Sequence, residues 1–183
     1  MAALTEYKKK RKFDKTPEPG PEKKHTRTGR MFVIQKHRAT QLHYDFRLEV
    51  DGVLKSWAVP KGPSLDPKVK RMAVPTEDHP MEYANFEGVI PKGNYGAGRV
   101  IVWEMGVYAP LGDTSMQDGL KKGHVSFALV GRKLEGGFAL TRLRDDSWLL
   151  VKMADDYADR KTDITKERPE SVLSGKTIDE IAA

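Results

Sequence analysis

Residues 43–59 read H-Y-D-F-R-L-E-V-D-G-V-L-K-S-W-A-V, and the fold follows from how this stretch alternates. Side chains on an extended strand point to opposite faces in turn. His43, Asp45, Arg47 and Glu49 therefore share one face, and Tyr44, Phe46, Leu48 and Val50 share the other. Asp51-Gly52 is the two-residue sequence that a tight hairpin turn with positive φ requires. Residues 53–59 then return as a second strand. With Val50 paired to Val53, Phe46 falls opposite Trp57 and Tyr44 opposite Val59, which builds an apolar face through cross-strand contacts. On the other face Arg47 falls opposite Ser56, and Asp45 opposite Ala58. These small partners leave room above a His-Asp-Arg row, so that face is expected to line a pocket.

The same reasoning extends outward. Residues 31–37, M-F-V-I-Q-K-H, are rich in β-formers and open the folded body. Residues 71–77 predict a strand, held to an edge by Pro75. Parity puts Arg71 and Glu77 on one face, and His79 follows two residues later. Residues 80–98 read as a long loop, with turn residues at 91–94 and a G-A-G at 96–98. Further strands are expected at 99–104, 124–130, 137–143 and 147–153. A short helix is expected over 114–122, capped by Asp113 or Thr114, and another near Ile178–Ile181. Short strands at even spacing, with Gly-rich turns, predict a mainly β fold. The expected architecture is an antiparallel β-barrel of about eight strands with short flanking helices and a basic N-terminal arm. The expected divisions are the arm over 1–30, the barrel over 31–155 and a charged tail over 156–183.

Composition narrows the partners. The 183-residue chain has no cysteine, which excludes disulfides, thiolate metal sites and a cysteine nucleophile. No apolar run approaches the ~18 residues of a membrane span. The N-terminus lacks the apolar segment of a secretory signal, so a cytoplasmic location and no membrane partner are expected. The net charge is +6. Residues 1–30 hold ten Lys or Arg against four acids, so the whole excess sits in the arm. A basic arm on a neutral body points to a polyanion. The six residues T-P-E-P-G-P at 16–21 keep that arm irregular.

His37, His43 and Asp45 form an H-x5-H-x-D set. Two imidazoles and a carboxylate can occupy one face of a metal ion and leave positions open, a donor set suited to Mn²⁺, Zn²⁺ or Fe²⁺. Arg47 stands on the same face. With Lys61 and Arg71 it could clamp a phosphoryl group, because guanidinium binds phosphate bidentately and stays charged. His79 could act as a fourth ligand, a general acid or a phosphate donor. His25 and His124 lack such company. The G-x-x-G-x-G of Gly93–Gly98 neither follows a strand nor opens a helix, so it reads as a tight turn rather than a dinucleotide loop. Two rival readings use the same residues. One is a non-haem Fe(II) oxygenase barrel, disfavoured by the Arg47 charge beside the donors. The other is a non-catalytic nucleic-acid-binding barrel with structural histidines.

The stretch Q-K-H-R-A-T-Q-L-H-Y-D-F-R-L-E at 35–49 and W-A-V-P-K-G-P-S-L-D-P at 57–67 closely resemble the 3′-phosphoesterase domain of bacterial DNA ligase D. So do E-D-H-P at 77–80, F-E-G at 86–88, G-N-Y-G-A-G at 93–98 and, in the arm, R-K-F-D-K-T-P-E-P at 11–19. The resemblance implies an eight-stranded barrel using Mn²⁺, with Zn²⁺ or Co²⁺ as alternatives. It implies trimming of DNA 3′ ends, on a primer-template or other end, that carry a terminal ribonucleotide or a 3′-phosphate. The product would be a 3′-OH for the ligase and polymerase modules of an end-joining system. By this likeness His37, His43 and Asp45 hold the metal, and Arg47 and His79 contact the scissile phosphate. Gln35, Lys61, Arg71, Glu77 and Tyr83 complete the site, with Arg11 and Glu18 reaching in from the arm. Family arms carry an acid directly after the arginine matched by Arg11. Here Lys12 stands there, and Asp14 is out of register.

Overall fold

A computed structural model describes residues 4–21 and 29–182. His25, with Glu22, Lys23, Lys24 and Arg27, lies outside the described residues. The strands run in chain order as β1 (Met31–Arg38), β2 (Leu42–Val50), β3 (Val53–Val59), β4 (Arg71–Pro80), β5 (Gly88–Ile90), β6 (Gly98–Pro110), β7 (His124–Val130), β8 (Glu135–Arg142) and β9 (Trp148–Lys152). Every pairing is antiparallel, in the order β1-β2-β3-β4-β9-β8-β7-β6-β5. A further β1–β6 pairing closes eight of these strands into a barrel and leaves β5 on the outside.

The expected hairpin register holds throughout. Val50 pairs with Val53, Phe46 with Trp57, Arg47 with Ser56 and Asp45 with Ala58. Asp51 and Gly52 turn the chain with φ of 55° and 78°. The apolar face of this hairpin turns inward. Phe32, Phe46, Trp57, Ala73, Trp103, Phe127, Phe138 and Leu150 come from all eight closed strands and form one buried cluster inside the barrel. Phe46 stacks on Phe127 at 5.8 Å, and Trp57 meets Trp148 edge-on at 5.7 Å.

The polar face of the hairpin turns outward. It is covered by a second, smaller cluster in which Tyr7, Val33, Leu54, Tyr83, Phe86 and Ile90 pack together. Residues 80–98 are therefore not one open loop. They hold a 3₁₀ helix at Met81–Asn85 and the short strand β5, which pairs with β6. β6 approaches β1 closely at Gly98, where a Cβ would stand 1.9 Å from the Arg38 carbonyl oxygen. A side chain there would push apart the two strands beside His37.

The arm over 4–21 is more ordered than its composition predicts. It opens with helix α1 (Thr5–Lys9), whose Tyr7 is fully buried. Residues 16–21 are irregular, as the prolines require. The helix expected over 114–122 is α2 (Met116–Lys122), and its cap is Ser115 rather than Asp113 or Thr114. The Ser115 hydroxyl accepts from the Asp118 amide at 3.1 Å, which places the first turn slightly later than expected. The tail adds α3 (Ile164–Glu167) and a 3₁₀ turn at Ile178–Glu180, and Ile178 and Ile181 pack on Ile101. No helix among the described residues is long and apolar enough to cross a membrane.

Candidate active site

The H-x5-H spacing is the signature of a hairpin. His37 and His43 are direct cross-strand partners one pair away from the turn that joins β1 to β2, and Gln35 pairs with Asp45 two residues further along the strands. Both imidazoles and the carboxylate therefore rise from one outward face. Their nearest donor atoms all lie within 4.8 Å of one another. His37 Nδ1 is 3.6 Å and His43 Nε2 is 3.3 Å from Asp45 Oδ2.

The outer nitrogen of each ring is already engaged. His37 Nε2 lies 2.7 Å from the Gly96 carbonyl, and His43 Nδ1 lies 3.2 Å from that of Gln41. A carbonyl can only accept, so each contact fixes the proton on the outer nitrogen. The inner lone pairs then face Asp45. Backbone or carboxylate partners hold metal-bound histidines in this way. Three lone-pair donors gathered without thiolate fit a divalent cation with hard or borderline preferences. Burial works against ionising Asp45, but Arg47 and the two histidines outweigh it and hold the carboxyl well below its usual range. Burial also opposes charge on His43, and Asp45 reverses this and raises its pKa.

Next to these donors is a cavity of about 320 Å³, lined in part by Arg11, Asp45, Arg47, Glu77 and His79. Arg47 is 3% exposed. Its Nε donates to Gln35 Oε1 at 2.7 Å and its NH1 to Ser56 Oγ at 2.9 Å. Gln35 is in turn fixed, because its Nε2 donates to the Tyr83 and Phe86 carbonyls at 2.7 and 3.0 Å. Gln35 thus acts as a brace for the guanidinium and does not line the cavity.

His79 stands between two guanidinium groups. Its Nδ1 lies 2.9 Å from the Glu77 carbonyl, which can only accept, and 3.2 Å from Arg47 NH1, which can only donate; the shorter contact favours the proton on Nδ1. Nε2 is left to accept from Arg11 NH2 at 3.3 Å. Burial, then Arg47 and Arg11, push the imidazole well below its ordinary pKa, so the ring is neutral in the free protein at neutral pH. Tyr7 and Tyr83 wall it in, with ring centroids 5.0 and 4.6 Å away.

The arm completes this side. Arg11 Nε donates to Glu18 Oε2 at 2.8 Å, and its NH1 donates to Glu77 Oε2 at 3.0 Å. Tyr83 donates its hydroxyl to the same Glu18 oxygen at 2.6 Å. Burial, then the Glu18 charge, drive the Tyr83 pKa well upward, so this phenol serves as a donor. Burial opposes ionisation of Glu77, but hydrogen bonds and the charges of Lys10 and Arg11 lower its pKa. Thr76 Oγ1, at the cavity wall, has no hydrogen-bond partner among the described residues. Lys12 and Asp14 stay exposed, so the departure at Lys12 leaves the Arg11–Glu18 pair intact.

Two expected residues fall elsewhere. Lys61 is exposed, beyond the end of β3, and does not line the cavity. Arg71 pairs with Leu150, whose side chain belongs to the barrel interior, and its Nε donates to the Gly62 carbonyl at 3.0 Å. Parity failed because β4 is bulged. Ser56 pairs with Thr76 and Leu54 with His79, so Glu77 and Asp78 together oppose Lys55. The extra residue re-aims Glu77 and His79 into the cavity and separates them from the face of Arg71. His124 is exposed and bonded to Thr141. Tyr7 and Tyr95 were not anticipated. An aromatic residue inside a Gly-rich turn is the one sequence signal that pointed to Tyr95.

Fold and site together define a closed antiparallel β-barrel that carries a two-histidine, one-carboxylate donor set on its outer wall beside a pocket where two guanidiniums stand among ion-paired carboxylates. Residues 35–142 match the model of the DNA ligase D 3′-phosphoesterase domain. The chain belongs to that family. It is 55% identical over 183 residues to the multifunctional non-homologous end joining protein LigD of Pseudomonas aeruginosa, covering 96% of this chain and 22% of that protein. The Mycobacterium tuberculosis LigD, a multifunctional non-homologous end joining DNA repair protein, is 51% identical over 152 residues, covering 82% and 20%. Mycolicibacterium smegmatis LigD is 44% identical over 168 residues, covering 87% and 22%. The chain therefore spans about a fifth of the length of these relatives.

Proposed function

We propose that this chain is a metal-dependent phosphoesterase that heals DNA 3′ ends for end joining. It would remove a 3′-terminal ribonucleoside and a 3′-phosphate to leave a 3′-OH. The observation that carries this reading is the meeting of His37, His43 and Asp45 with Arg47, Arg11 and His79 around one cavity. Mn²⁺ is the proposed ion, with Zn²⁺ or Co²⁺ as substitutes, held by His37, His43 and Asp45. When bound, it would supply Lewis-acid stabilisation of charge on a phosphoryl oxygen.

The chain's own groups would do the rest. Arg47 and Arg11 offer unspent N–H donors to the other phosphoryl oxygens, and Gln35 and Glu18 hold those guanidiniums in place. Thr76 Oγ1 is a further donor in need of an acceptor. His79 Nε2 is the proton-handling atom. Burial and the two cations keep the ring neutral, and an arriving phosphate would oppose both with negative charge beside Nε2, so His79 would take up a proton from solvent in the complex and give it to the leaving oxygen. Fixed donors in a water-poor pocket need little reorganisation as charge develops.

Two buried guanidiniums beside the donors suit an anion rather than dioxygen, which supports this reading over the oxygenase alternative. The test uses a 3′-labelled primer-template ending in one ribonucleotide, incubated with Mn²⁺ or with chelator. Shortening followed by dephosphorylation, only with Mn²⁺, is expected. A 3′ end left intact under both conditions would overturn the proposal. DNA binding that survives His43→Ala, with no turnover by either protein, would favour the non-catalytic barrel.

A further inference from the structure

Resting on that reading, we infer that Tyr95 is a stacking platform for the nucleobase of the retained 3′-terminal nucleotide, the one just 5′ of the phosphate being cut. Tyr95 lines the cavity yet is 49% exposed. The opposite end of the cavity is closed, because Glu18, His79 and Tyr83 are each 5% exposed or less. A DNA strand whose 3′ group reaches Arg47 and His79 cannot continue through the barrel wall. Tyr95 is the one exposed residue among the described residues lining the cavity, so the strand body would leave on its side and bring the first base to it.

The platform is braced for this. It sits in a turn between β5 and β6 whose glycines, Gly93 and Gly96, have φ of 89° and 74°. The Gly96 carbonyl holds His37 Nε2, which ties the turn to the donor set. Asn94 Nδ2 donates to the Lys15 carbonyl at 3.2 Å, which ties it to the arm. Two cations lie over the ring, Lys10 Nζ at 4.8 Å and the Arg11 guanidinium at 5.5 Å from its centroid, so a base would take the ring surface they leave open. An aromatic face bordered by cations is the arrangement that grips single-stranded nucleic acid, with the ring taking a base and the cations the backbone. Stacking of this kind accepts any base, which suits an enzyme that must act on ends of every sequence.

The experiment is a double-mutant cycle on binding, measured by fluorescence anisotropy in chelator so that no turnover intervenes. Oligonucleotides carry a 3′-phosphate on either a normal terminal nucleotide or an abasic tetrahydrofuran one. A 3′-OH oligonucleotide serves as control. In the unsubstituted protein, loss of the base is expected to weaken binding about 5- to 150-fold, the range set by one base–aromatic stack. Tyr95→Phe keeps this dependence, because the ring and not the hydroxyl carries it. Tyr95→Ala binds the normal end as weakly as the abasic one. Equal losses for Tyr95→Ala on both oligonucleotides would overturn the inference, showing that Tyr95 merely props the arm through Lys10. If the unsubstituted protein does not prefer a 3′-phosphate over a 3′-OH, the end is not seated at Arg47 and His79 and the stacking role is overturned, whereas the proposed function stands or falls on the Mn²⁺ assay above.

Discussion

Glu18→Ala tests how the arm is held over the site. Glu18 and Arg11 form an ion pair whose side chains are 1% and 5% exposed. Removing one partner of a buried pair costs about 3–5 kcal/mol, because the other charge stays desolvated. Arg11 keeps Glu77 as a partner, which favours the low end. Tyr83 also loses the acceptor for its buried hydroxyl, a further loss of about 1–3 kcal/mol. A total near 4 kcal/mol corresponds to about a thousandfold rise in the population with the arm undocked. The barrel does not share this loss, since its interior cluster contains no arm residue. Hydrogen exchange reads the two regions separately. Arm amides such as Lys10, bonded to the Glu6 carbonyl, and Lys15, bonded to that of Lys12, should exchange about a thousandfold faster, the population ratio derived above. Amides of β7 and β8 should be unchanged. Arm protection within threefold of the parent would refute the reasoning and leave Tyr7 packing as what docks the arm.

Further outcomes follow from the same geometry. His43→Ala should abolish Mn²⁺ binding in a calorimetric titration while far-ultraviolet circular dichroism is retained, because His43 belongs to neither buried cluster. Gln35→Ala should lower turnover by about tenfold or more through loss of the Arg47 brace, with metal affinity kept. A matching loss of metal binding would contradict a bracing role. For pH dependence, the folded protein holds His79 neutral, while the unfolded chain protonates it near the ordinary value of 6.5. The unfolded state therefore gains a proton that the folded state refuses, and stability falls as pH drops below about 6.5. Urea titrations should show a shallower acid decline for His79→Asn than for the parent, and parallel curves would contradict this assignment.

The hairpin over residues 43–59 shows how much was legible. Its register, its inward and outward faces and its turn all follow from alternation and from Asp51-Gly52, which are local rules. The donor set was legible for the same reason. His37, His43 and Asp45 lie on two consecutive strands joined by a short turn, so nearness in sequence carries over to nearness in space. The placement of Arg71 failed because parity counts assume a regular strand, and the β4 bulge adds a residue that nothing in R-M-A-V-P-T-E-D-H-P announces. Arg11 and Glu18 could be drawn in only by family resemblance, since no periodicity in a proline-rich arm indicates where it docks.

By itself, then, the sequence determined the strands, the barrel class and the three donors, because each rests on interactions within a few residues or on simple alternation. The tertiary structure alone decided that the polar face lies on the barrel's outer wall. It also decided that the arm and the turn around Tyr95 roof that face, and that His79 sits between Arg47 and Arg11. Those contacts join residues 32 to 85 positions apart, from Arg47 with His79 to Lys10 with Tyr95. Their cost in chain entropy is met only when the whole barrel has closed.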